Sequence, residues 1–187
     1  MKKIRKTGSK LIHDGFLQIE KQYFTSEGDE SFDREVITRQ DAAGIVLYNQ
    51  SRKTVVLVRQ FRAPVLGQDD PYVLEIPAGL LEKDEEPEKT IIRETLEETG
   101  YQIHKPRLIQ TFYTSVGYTT ERCHIYYAGV TDDDKTGKGG GVAEETEYLE
   151  IVEMPVSEVM QLLDEGKISD GKTIVALWWF RWNIMNP

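Results

Sequence analysis

The chain has 187 residues, 39% of them apolar and 29% charged, and carries a net charge of −9 at pH 7. That balance belongs to a globular chain rather than a disordered tail, and the negative charge disfavours broad nucleic-acid binding through the phosphate backbone. No run of about 18 apolar residues is present, so no membrane span is expected, and the single cysteine, Cys123, can form no internal disulfide; a cytoplasmic location is expected.

The first predicted element is a strand over "FLQIEKQYF", residues 16–24, followed by a turn at "SEGDES" and a second strand at "FDREVIT". The runs "AAGIVLY" (42–48) and "TVVLVR" (54–59) read as paired core strands joined by "NQSRK". After the loop "APVLGQDDP", "YVLEIPAG" reads as a strand that Pro77 stops, since proline cannot donate to a ladder. A helix is predicted from Pro87, suited to a first turn, to the residue before Gly100, suited to the position past a helix end. Two strands, "RLIQTFYT" and "RCHIYYAGV", come next, then "TDDDKTGKGGG", whose glycine content reads as a mobile loop able to close over a ligand. The strand "EYLEIVEM" and two helices, "PVSEVMQLLDEG" and "GKTIVALWWFRWNIM", close the chain.

This order predicts an α+β fold, an α/β/α sandwich around a mixed sheet, preceded by a small antiparallel β unit over residues 1–41; the main domain would span 42–187. The exposed edges of such a front unit are expected to be covered by a second copy, as a homodimer.

The helix 87–99 poses the chemical question. Ile91, Ile92, Thr95, Leu96 and Thr99 fall on one side, the expected buried face, and Glu94, Glu97 and Glu98 occupy the adjoining arc. Like charges at i,i+3 and i,i+4 cost about 0.2 to 0.5 kcal/mol per pair, and the helix C-terminus disfavours anions further. Local stability therefore does not explain the cluster, whereas a divalent cation does. Carboxylate oxygens suit hard Mg²⁺ or Mn²⁺, and three scattered histidines with one cysteine offer no zinc site.

Gly79, Glu85, Arg93, Glu94, Glu97, Glu98 and Gly100 stand in the spacing G-x5-E-x7-R-E-x-x-E-E-x-G. This resembles the Nudix box, the signature of hydrolases that cleave a nucleoside diphosphate linked to another group. The box also calls for an apolar residue after the final glycine, here Tyr101, and an aliphatic residue after Arg-Glu, where this chain has Thr95. The resemblance implies that Glu94, Glu97 and Glu98 ligate Mg²⁺ together with the backbone carbonyl of Ala78. It further implies that Glu85 pairs with Arg93, and that Gly79 and Gly100 serve turn geometry.

Beyond the box, "VRQFR", "LEIPAGLLE", "GGGVAEETEYLEIVEMP" and "GKISDGKT" are similar to the nucleoside diphosphate sugar branch, which includes ADP-ribose pyrophosphatases and GDP-mannose hydrolases. The last two motifs lean towards the GDP-mannose group. Ser115-Val116-Gly117 replaces a proline-containing "SPG" and weakens the ADP-ribose assignment.

Arg62 is the expected diphosphate-binding residue, its planar fork matching phosphate oxygens, with Arg34 second. Tyr23 or Phe24 is the expected stacking partner for the base. The resemblance implies a glutamate on a loop after the box as general base. Glu145 fits as base and Glu147 as accessory metal ligand, and the two roles are interchangeable at this level. A nucleotide-sugar sensor without catalysis and a nucleoside triphosphate hydrolase are the competing readings; product release separates the first, and relative rates on dGTP and ADP-ribose the second.

Overall fold

The computed structural model describes residues 2–141 and 149–185, in two compact units. The first comprises Met1–Asp41 with Tyr113–Arg122, and the second Ala42–Phe112 with Cys123–Pro187.

The first unit is a three-stranded antiparallel sheet in the order β1 (Ile4–Asp14), β2 (Gln18–Ser26), β3 (Ser31–Thr38). β1 was not expected from the sequence. It is almost wholly exposed, lacks apolar alternation, and follows β2 through two register shifts, between Lys6 and Gly8 and between Leu11 and His13. The loop around Tyr118–Thr120 bonds to Ile37 in this same unit.

The second unit is built on a mixed seven-stranded sheet: β4 (Ala42–Asn49), β5 (Thr54–Phe61), β6 (Tyr72–Glu75), β7 (Ala78–Leu80), β8 (Arg107–Tyr113), β9 (Arg122–Val130) and β10 (Leu149–Pro155). The central path runs β10-β5-β4-β9-β8, with β4 and β9 parallel. The expected single strand "YVLEIPAG" is two: β6 pairs with β5, and past Pro77 the chain crosses to pair β7 with β4. Pro77 has no N–H to donate, but its carbonyl accepts from the Ile45 N–H at 3.0 Å, so the crossing costs little.

Side chains alternate across the sheet and build a core on each face. Ile45, Leu47 and Val56 pack with Ile91 of α1 (Pro87–Thr99), whereas Val46, Val55 and Leu57 pack with Val159 of α2 (Val156–Asp164) and Leu177 of α3 (Gly171–Phe180). Full burial of a side chain such as Ile91 contributes roughly 1.5–3 kcal/mol. The result is the helix–sheet–helix layering expected of the α+β class. No helix among the described residues is long and apolar enough to cross a membrane.

Candidate active site

α1 starts at Pro87 and ends at Thr99, with Gly100 in the left-handed region (φ 77°), its N–H bonded to the Leu96 carbonyl. Its buried face differs from the expected one. Leu96 is 37% exposed, whereas Glu98 is 3% exposed. The inner stripe is instead largely threonine: Thr90, Thr95 and Thr99 are buried, and the last two turn their hydroxyls onto the Ile91 and Thr95 carbonyls. Thr95, where the box calls for an aliphatic residue, thus meets its polar need within the helix.

Glu98 tolerates burial because its Oε2 accepts the Ala78 N–H at 3.0 Å. That N–H belongs to the first residue of β7, and Gly79 next to it makes room for Glu94: a Cβ on Gly79 would lie 2.0 Å from the Glu94 Cδ. Two of the three expected ligands are thereby packed against the backbone of residues 78 and 79.

Arg93 holds the remaining charges. Its Nη1 bonds Glu94 Oε1 at 2.9 Å and Glu97 Oε2 at 3.0 Å, and its Nη2 bonds Glu85 Oε2 at 3.2 Å. Burial would lower the Arg93 pKa, but the hydrogen bond to Glu85 and the charges of Glu94, Glu85 and Glu97 outweigh it and raise the value further. The hydrogen bond from Arg93 draws the Glu85 carboxyl down to about 2, with help from the Glu82 backbone. Among the described residues no group of three ligands is drawn into one metal-holding cluster: Arg93 engages Glu94 and Glu97, while Glu98 turns to Ala78. The donor set nevertheless fits a hard divalent cation, since three carboxylates within five residues, all oxygen donors, adjoin the Ala78–Gly79 backbone.

Arg62 follows β5 and is bound in a fork to Glu75 of β6, Nε to Oε1 at 2.6 Å and Nη2 to Oε2 at 2.9 Å. Glu75 is 2% exposed and also takes Lys172 of α3, which reaches Asp170 at 3.1 Å. Burial pushes the Glu75 carboxyl up, but the Arg62 hydrogen bonds and the Lys172 charge prevail and hold it below its usual value. The hydrogen bond to Glu75 raises the Arg62 pKa against burial, and the charges of Asp170 and Glu98 add to it. Asp170 caps α3 by accepting the Thr173 N–H at 2.9 Å, and Thr173 Oγ1 accepts the Ile76 N–H at 2.9 Å. Glu75, Asp170 and Lys172 were not singled out from the sequence. The spacing Asp170-Gly-Lys-Thr173, a capping pattern before an apolar run, was the available signal.

Within the first unit, Tyr23 is exposed, Phe24 stacks on Phe32 at 5.4 Å, and the Arg34 guanidinium lies 5.0 Å from the Phe32 ring centre. Glu145 and Glu147 lie outside the described residues.

The glycine-rich segment 131–141, read as a loop with no element of its own, contains a short turn and backbone contacts to α1. Thr131 and Asp134 cap a 3-10 turn, Asp132–Asp134, and the N–H groups of Thr136, Gly137, Gly140 and Gly141 bond to carbonyls at and just past the end of α1. Composition shows the glycines but not the carbonyls that they approach.

Residues 38–177 match the NUDIX domain. The chain is 44% identical over 146 residues to a GDP-mannose pyrophosphatase of Salmonella arizonae, covering 77% of this chain and 75% of that one. It is 42% identical over the same length, with the same coverage, to a GDP-mannose pyrophosphatase of Escherichia coli O139:H28. A solved structure described as an ADP compounds hydrolase superposes with a TM-score of 0.76 over 96% of this chain and 95% of its own, at 16% identity, and so shares the fold.

Proposed function

This chain belongs to the NUDIX family, and we infer that it is a pyrophosphatase acting on nucleoside diphosphate sugars, with GDP-mannose first among them and ADP-ribose second. The products are a nucleoside monophosphate and a sugar phosphate. The position of Glu98 carries this reading: a carboxylate 3% exposed at the end of a helix, with Glu94 one turn before it and Glu97 adjacent. Three carboxylates so close together, bordered by the Ala78–Gly79 backbone, supply the several oxygens on one side that a hard divalent cation takes.

In this reading Glu94, Glu97, Glu98 and the Ala78 carbonyl hold Mg²⁺, or Mn²⁺ in its place, with Glu147 as a further ligand. Such an ion would offset diphosphate charge and stabilise the leaving phosphate oxygen. Arg93 remains on Glu85, anchoring loop to helix, while its contacts to Glu94 and Glu97 are the ones a cation replaces. Arg62, aligned by Glu75, and Lys172 beside it supply fixed positive charge for the diphosphate.

A water attacks one phosphorus, the P–O–P bond breaks, and the water's proton passes to a carboxylate, with Glu145 proposed as that base and Glu147 as the alternate. For the base of the nucleotide, the first unit offers the exposed Tyr23 ring and the Phe24–Phe32–Arg34 stack. A homodimer formed through the exposed strand edges of the first unit, and a cytoplasmic location, belong to the same proposal.

Mass spectrometry of products from GDP-mannose, ADP-ribose and UDP-glucose, each with Mg²⁺, tests the substrate assignment. Fastest release of GMP and mannose phosphate is the expected result; turnover confined to UDP-glucose would overturn the order given above.

A further inference from the structure

The last turn of a helix leaves carbonyl groups without intrahelical donors and tends to fray. In α1 that turn carries Glu97 and Glu98, whose side chains are proposed metal ligands and whose carbonyls add partial negative charge to an already anionic site. The missing donors come from about forty residues further along the chain. The Gly140 N–H donates to the Glu98 carbonyl at 2.8 Å, and the Gly141 N–H to the Glu97 carbonyl at 3.1 Å. Two residues past Glu98, the Gly100 carbonyl accepts both the Thr136 and the Gly137 N–H at 2.9 Å.

This approach is too close for side chains. A Cβ on Gly139 (φ 67°) would lie 2.6 Å from the Thr99 carbonyl carbon and 2.7 Å from the Glu98 carbonyl oxygen; one on Gly100 would lie 2.2 Å from the Gly137 oxygen. All three obstacles are backbone, which cannot swing aside. Both glycines also adopt a left-handed conformation that other residues reach only with strain.

We propose that the glycine strap 136–141 is a positioning element for the metal site: by capping the carbonyls of Glu97 and Glu98 it fixes the backbone from which those ligands project and offsets the negative end of the helix. Gly139, Gly140 and Gly141 are positioning residues that touch neither metal nor substrate. The inference rests on the reading of Glu97 and Glu98 as metal ligands.

The test is Mn²⁺ binding by the full chain, measured by electron paramagnetic resonance, beside thermal unfolding without metal. Gly139→Ala is expected to raise the Mn²⁺ Kd about tenfold, as loss of an outer partner of a ligand does, whereas Lys167→Ala, at an exposed position beyond α2 and outside the strap, leaves it unchanged. Coupling is reciprocal, so saturating Mg²⁺ must slow amide exchange at Gly140 and Gly141 of the unaltered protein by a similar factor. That second measurement decides the matter even if Gly139→Ala does not fold. A wild-type Kd in Gly139→Ala, or exchange at these two amides indifferent to Mg²⁺, overturns the strap's role while leaving the metal site standing. A wild-type chain that binds no Mn²⁺ overturns both.

Discussion

Gly79 and Glu94 are packed so that a Cβ on the glycine would fall 2.0 Å from the glutamate's Cδ and 2.0 Å from its Oε1. The obstacle is the far end of a flexible side chain, so alanine at residue 79 can be accommodated by displacing the Glu94 carboxylate. Gly79→Ala is therefore expected to cost little stability, about 1 kcal/mol or less, while lowering turnover at least about tenfold and raising the Mg²⁺ concentration needed for half-maximal rate. Steady-state kinetics across Mg²⁺ concentrations, beside a denaturant melt, checks both halves. Equal loss of stability and activity would point to packing alone.

Glu98→Gln keeps an oxygen to accept the Ala78 N–H but removes the charge. The fold should hold, and kcat should fall on the order of a hundredfold, the scale of losing one electrostatic contributor at a reacting phosphate. Circular dichroism with single-turnover rates distinguishes this from unfolding.

The Glu85–Arg93 pair makes a pH prediction. The Glu85 carboxyl is held at about 2, below its ordinary value of 4.5, so its contribution is present above pH 4.5 and is lost as pH falls towards 2. Glu85→Gln should be less stable than the wild type by roughly 1 kcal/mol at neutral pH, discounted for a surface ion pair, and the difference should vanish near pH 2. Urea midpoints of both proteins from pH 2 to 7 provide the check.

Asp170 caps α3 and, through Thr173, joins that helix to the Ile76 backbone. Asp170→Ala should lower stability by about 1 kcal/mol or somewhat more, and Tm by about 2–4 °C per kcal/mol for a chain of this size. Because Asp170 also contacts Lys172, KM for the nucleotide sugar should rise more than kcat falls. Calorimetry and initial rates measure the two effects separately.

What the sequence reveals about this molecule follows the reach of each signal. Pro87 and Gly100 act on their own backbone, and the helix they bound is found with those limits. The strand "RCHIYYAGV" is likewise found intact as β9, its apolar residues alternating across two buried faces. On α1 the helical wheel places Leu96 inward, since it assigns apolar residues to the core, whereas Leu96 is exposed and Glu98, expected on the arc bordering the core, lies wholly inside. The donor that lets Glu98 go inside, the Ala78 N–H, belongs to a strand twenty residues earlier. β1 escaped notice since an exposed strand on an edge needs no apolar alternation. Arg62 was picked out for its chemistry, but its fork to buried Glu75 and the approach of Lys172 from α3 depend on tertiary pairing that no local pattern encodes.

The proposed diphosphate hydrolysis depends most on clustered glutamates serving as divalent-cation ligands. The direct measurement is GDP-mannose turnover by wild type and by Glu97→Gln with Glu98→Gln, in Mg²⁺ and after its removal by chelation. Release of GMP by the wild type in Mg²⁺ only, with the double variant reduced to background, is the predicted result; turnover by the double variant at the wild-type rate would contradict it.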